Sequence, residues 1–186
     1  MTQSGHRPGL SPCPLMTILP EFHRSIISIV SIEFSCRWTH MEEPPKETVI
    51  IVHGTWAAPD PAKRRWYLPV DDRPGDEAFT AKLDAALQER GSPARCWAHC
   101  TDGNPFFQWS GENSWIARTQ AAAELGNYVL KLRDEGWCCH IVAHSHSGNV
   151  VLDALPQITT ALPSNAPLGK IVTLGIPFID TMAPIL

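Results

Sequence analysis

Long apolar runs are missing from this sequence. No stretch of about 18 apolar residues occurs, which excludes a membrane-spanning helix. A surplus of positive charge is missing too: 15 Lys and Arg against 19 Asp and Glu leave a net charge of −4, with no basic footprint for nucleic acid. Cysteines number only six, too few and too unevenly placed for the disulfide framework of a secreted scaffold. Four of them fall in two clusters with histidine: Cys96, His99 and Cys100, then Cys138, Cys139 and His140. The spacings C-x3-C and C-C-H match no common zinc pattern. On the strands expected there, adjacent side chains point to opposite faces and cannot converge on one ion. No metal site is therefore expected, and the thiols read as buried packing groups. Their number favours a reducing compartment, so a cytoplasmic location is the expectation.

What remains is a chain of 186 residues, 44% hydrophobic and 18% charged, enough for one soluble domain with a proper core. Residues 1–40 differ from the rest. Pro8, Pro12, Pro14 and Pro20 interrupt a segment without helical or strand period, which reads as an irregular leader outside the folded domain. Within it lies a short apolar run, residues 25–32, and secretion is the lesser reading of that run. It starts late for a signal peptide, and Glu33-Phe34-Ser35-Cys36 follows with no small-x-small cleavage site. Its β-branched content suits an edge or leading strand; alternatively Met41 is the true start, since patterned sequence begins within a few residues of it.

From residue 46 onward strand and helix signals alternate. Thr48-Val49-Ile50-Ile51-Val52 is a continuous β-branched run, as a strand buried on both faces should be. A proline-rich, charged loop spans residues 57–75. Asp76 can cap a helix carrying Phe79, Leu83, Ala86 and Leu87 on one face and ending at Gly91. Residues 94–99 read as a second strand. Ser114 can cap a long helix with Ala121, Leu125, Tyr128, Val129 and Leu132 as its stripe, closed by Gly136. Residues 138–143 read as a third strand, 147–155 as a helix stopped by Pro156, and 170–174 as a fourth strand. The expected fold is α/β: a mostly parallel open sheet with flanking helices.

The informative turn is Ala143-His144-Ser145-His146-Ser147-Gly148-Asn149, between the third strand and its helix. A sharp strand-to-helix turn strains the residue at its apex and lifts that side chain, here Ser145, clear of the carboxyl end of the sheet. Small neighbours are needed where helix and strand approach; Ala143, Ser147 and Gly148 supply them.

This run resembles the nucleophile elbow of the α/β-hydrolase superfamily, its esterase and lipase branches in particular. Ala143 and Ser147 stand where the Gly-x-Ser-x-Gly pattern has its two glycines. Val49-Ile50-Ile51-Val52-His53-Gly54-Thr55-Trp56 is similar to the strand that ends in His-Gly in that superfamily. Val172-Thr173-Leu174-Gly175-Ile176-Pro177 is similar to the strand and turn after the elbow helix. The resemblance implies that residues 41–186 are the N-terminal part of an α/β-hydrolase domain, with the fold incomplete after residue 174. It implies Ser145 as nucleophile toward a small-molecule carboxylic ester, an oxyanion hole formed by the backbone amides of Thr55 and His146, and no cofactor.

The family's order of Ser, acid and His is not fulfilled here. After Ser145 the only histidine is His146, whose side chain should point away from the nucleophile. Asp180 is a weak candidate for the acid. His53 should brace its loop, His99 and His140 should be satisfied core or edge groups, and His144 should pack beneath the elbow. A second reading is thus a truncated, catalytically silent chain or binding protein on the same fold. Trp66 and Tyr67 are candidates for substrate contact, whereas Phe106, Phe107 and Trp109 read as packing. Finally, residues 170–174 would be a free apolar sheet edge, open to self-association.

Overall fold

The structure, a computed structural model, describes residues 31–32, 46–56, 66–69, 78–161 and 169–176. The apolar run expected to be a doubly buried strand forms β2 (Lys46–Val52), buried from Thr48 to its end. Its neighbour β4 (Trp137–His144) is buried through Ala143. They pair in parallel over seven residues, from Lys46 opposite Trp137 to Val52 opposite Ala143. On the other side of β2 lies β3 (Arg95–Cys96), and beyond β4 lies β5 (Ile171–Leu174), both parallel to their neighbours. Four parallel strands with flanking helices make the fold α/β.

A fifth strand, β1 (Ser31–Ile32), runs antiparallel along the outer side of β5, Ser31 opposite Val172 and Ile32 opposite Ile171. The sheet order is β1-β5-β4-β2-β3. The edge expected to be free at residues 170–174 therefore has a partner, drawn from the end of the apolar run at 25–32. Residues 25–30 lie outside the described residues.

Among the described residues three helices flank the sheet. In α1 (Phe79–Glu89), Leu83 and Leu87 are buried; the helix is preceded by Ala78 without a side-chain cap, and Asp76 lies outside the described residues. Helix α2 (Trp115–Asp134) starts at Ser114, whose Oγ accepts the Ala117 amide at 3.4 Å, and ends before Gly136 at φ +85°. Its buried stripe includes Ala121, Leu125, Val129 and Leu132, as the 3.6 period requires. Helix α3 (Ser147–Ala161) packs against α2 and buries Val150, Val151, Ala154 and Ile158.

Two expected boundaries move. The strand expected over residues 94–99 stops after Cys96, because Trp97 adopts φ +58° and a 3-10 turn, Ala98–Asp102, follows. His99 and Cys100 thus sit on that turn and not on a strand. The helix expected to stop at Pro156 continues to Ala161. Pro156 and Leu152 are both exposed, so the amide bond that the proline removes lies on the helix's outer face, while Ile158 beyond the proline has a core position to fill.

Candidate active site

From β2 the chain moves to β3 on one side; from β4 it moves to β5 on the other. The reversal lies between the carboxyl ends of β2 and β4, where open α/β sheets bind ligands. Since Val52 is level with Ala143, His53-Gly54 and His144-Ser145 continue side by side past the end of the β2–β4 pairing. A Cβ on Gly54 would stand 2.9 Å from the Ser145 Cβ and 2.9 Å from the His144 carbonyl oxygen. Only a glycine lets the two turns approach this closely.

Ser145 occupies the left-handed region at φ +58°, a conformation that costs a non-glycine residue about 1–3 kcal/mol. Hydrogen bonds on both sides hold it there: Ser145 N donates to Leu174 O at 2.9 Å, and Gly148 N donates to Ser145 O at 3.0 Å. Ser147, standing where the resembled motif has glycine, is fully buried. Its Oγ lies 2.7 Å from Val52 O and 2.8 Å from His144 O, so the hydroxyl proton ties the start of α3 to the ends of both central strands. The sterically demanding position is the next one. A Cβ on Gly148 would fall 2.1 Å from the Ile176 side chain.

The amides around the two turns divide cleanly. Trp56 N is taken by Gly111 O at 2.8 Å and Ser145 N by Leu174 O. Thr55 N and His146 N, the two expected oxyanion donors, meet no acceptor among the described residues. Their side chains meet each other: Thr55 Oγ1 lies 3.2 Å from His146 Nδ1. The His146 ring is directed toward Thr55, and among the described residues Ser145 Oγ has no hydrogen-bonding partner.

The remaining histidines have structural surroundings. His53 is wholly buried, its ring stacked 4.4 Å from Tyr67 and 5.7 Å from Trp109, and its Nδ1–H donates to Gly54 O at 3.0 Å. Trp109 Nε1–H returns a bond to His53 O at 2.7 Å, so this histidine braces the loop at Gly54. His140 accepts the Lys170 amide on Nδ1 and donates from Nε2 to Glu47. His144, expected beneath the elbow, is instead exposed at the carboxyl edge, edge-on to Trp66 at 5.3 Å. Partial desolvation lowers its pKa. That contact keeps Trp66 at the site. Tyr67, also a candidate for substrate contact, is fully buried, and its carbonyl accepts Trp97 Nε1–H. Asp180 lies outside the described residues.

Cys96, Cys138 and Cys139 are buried and form no disulfide among the described residues; burial raises the Cys139 pKa to about 12 and that of Cys100 to about 11. Among the described residues no group of three or more His, Cys, Asp or Glu side chains could hold a metal ion, and no helix is long and apolar enough to cross a membrane. Comparison with family models, curated proteins and solved structures returned no match.

Two features escaped the sequence reading. One is the Thr55–His146 bond, formed across 91 positions. The other is Trp56, left-handed at φ +58° and 78% exposed beside the Thr55 amide. The only signal for either was its place next to the His-Gly and elbow motifs.

Proposed function

We propose that this chain is a serine hydrolase of carboxylic esters, of the α/β-hydrolase type, with Ser145 as nucleophile. The observation that carries this reading is the approach of Gly54 to Ser145 at the sheet's switch point, with the Thr55 and His146 amides beside it unengaged among the described residues. Ser145 Oγ would attack the carbonyl carbon and lose its proton to a base. The carbonyl oxygen, now an oxyanion, would accept from Thr55 N–H and His146 N–H. Collapse would expel the alcohol, which takes up a proton, and leave an acyl group on Ser145 for water to release. Each such amide supplies about 10²–10³ in rate when aimed at the oxyanion.

No described imidazole is bonded to Ser145 Oγ, so acylation should be slow; a missing triad member typically costs about 10⁴-fold or more. The same observation favours a second reading, a non-enzymatic protein on this fold that binds carbonyl or carboxyl groups. A fluorophosphonate probe separates the two. Slow labelling that maps to Ser145 and vanishes in Ser145→Ala is the result expected of the hydrolase; labelling that persists in Ser145→Ala overturns it. Ester binding without any labelling assigns the binding role.

A further inference from the structure

Beyond Val52 and Ala143 the backbones of β2 and β4 no longer pair, yet the two candidate oxyanion donors come from exactly these unpaired continuations. Two amides from separate turns act together only if their separation is held, and a displacement of about 1 Å can cost on the order of 100-fold in rate. Three contacts span the gap. Ser147 Oγ bonds Val52 O, Gly54 abuts Ser145, and Thr55 Oγ1 meets His146 Nδ1. The first two involve neither of the candidate donor residues. The third joins the side chains of the same two residues whose amides would bind the oxyanion.

We infer that the Thr55–His146 side-chain bond is a latch that sets the spacing of the two oxyanion donors, making the Thr55 hydroxyl a positioning group. The inference rests on the ester-hydrolase reading for its purpose, but not for its existence. Thr55 keeps its amide whatever its side chain, so the hydroxyl can be removed without deleting the donor itself. Valine matches threonine in shape and lacks only the bond; serine restores the hydroxyl without the methyl. Thr55 is half-buried and the bond partly exposed, so its loss need not unfold the domain.

The test compares wild type, Thr55→Val and Thr55→Ser in two measurements. In the first, fluorophosphonate labelling of Ser145 is resolved into probe binding and bond formation. Thr55→Val is expected to slow bond formation about tenfold or more with probe binding and thermal midpoint nearly unchanged, and Thr55→Ser to recover most of the rate. A merely structural role would move the midpoint and would not be rescued in rate alone. In the second, ¹⁵N NMR of the His146 ring and of the Thr55 and His146 amides reads the latch without chemistry. The Nδ1 resonance and both amide resonances should shift in Thr55→Val, and Thr55→Ser should restore the Nδ1 position. If wild type labels and Thr55→Val labels equally fast, the latch is overturned and the hydrolase reading stands. If wild type does not label, the hydrolase reading fails, and an unchanged spectrum in Thr55→Val would remove the latch as well.

Discussion

Ser147 Oγ donates to the carbonyl oxygen of Val52 at 2.7 Å, so the first residue of α3 is bonded to the last residue of β2 across 95 positions. The hydroxyl also reaches His144 O at 2.8 Å, and the side chain has no exposure to solvent. A residue that looks like an imperfect glycine in the motif is a tie between the two central strands.

Removing that tie should be measurable. Ser147→Ala leaves the buried Val52 carbonyl oxygen and the partly buried His144 carbonyl oxygen without this donor and is expected to cost about 1–2 kcal/mol. Urea unfolding gives the number directly. Ser147→Val should cost more, since a second branch must fit a fully buried position.

Gly54→Ala tests the approach of the two turns. Its Cβ would meet the His144 carbonyl and Ser145 Cβ, both at 2.9 Å, and neither belongs to a flexible side-chain end. The turns must separate. Fluorophosphonate labelling of Ser145 is expected to fall by about 100-fold or more, with a loss of stability of about 1–3 kcal/mol in the same variant.

His99 makes stability depend on pH. Tyr128 OH donates to Pro105 O at 2.6 Å, so it accepts from His99 Nε2–H, and His99 Nδ1 in turn accepts from Thr48 Oγ1 at 2.7 Å. This arrangement uses the neutral ring, and burial lowers its pKa from 6.5 to about 4, against the opposing pull of Glu135 and Asp102. Below pH 6.5 the unfolded chain takes up a proton that the folded chain refuses. The contribution is therefore complete above pH 6.5 and is lost as pH falls toward 4, with a slope of at most about 1.4 kcal/mol per pH unit. Chemical denaturation across that window should show the slope, and His99→Gln should flatten it.

β1 changes the expectation for the N-terminal segment. Deleting residues 1–40 removes Ser31 and Ile32 from the outer side of β5 and leaves Ile171 and Val172 with open backbone groups. Light scattering at tens of micromolar should then show more self-association than in the full chain; an unchanged monomer would mean that this short pairing does not protect the edge. A charge placed on the edge at Val172 would not substitute for β1. That side chain is buried, so Val172→Lys would destabilise the domain before it could separate the copies.

Order and type of the main elements were legible in the sequence because they depend on local chemistry. The continuous β-branched run at 48–52 and the short, mostly apolar segment at 138–143 mark buried strands, a 3.6 period from Ala121 to Leu132 marks the long helix, and small residues around Ser145 mark a strained turn. Boundaries failed where a distant neighbour decided them. Trp97 leaves the strand conformation while its indole bonds Tyr67 O, and Pro156 stays in its helix because its face is wet. The relations that make a candidate site belong to the tertiary structure alone. Gly54 meets Ser145, Thr55 meets His146 and Ser147 meets Val52 only because β2 and β4 lie side by side in one register, and pairing between segments about 90 residues apart leaves no period or spacing in the chain to read.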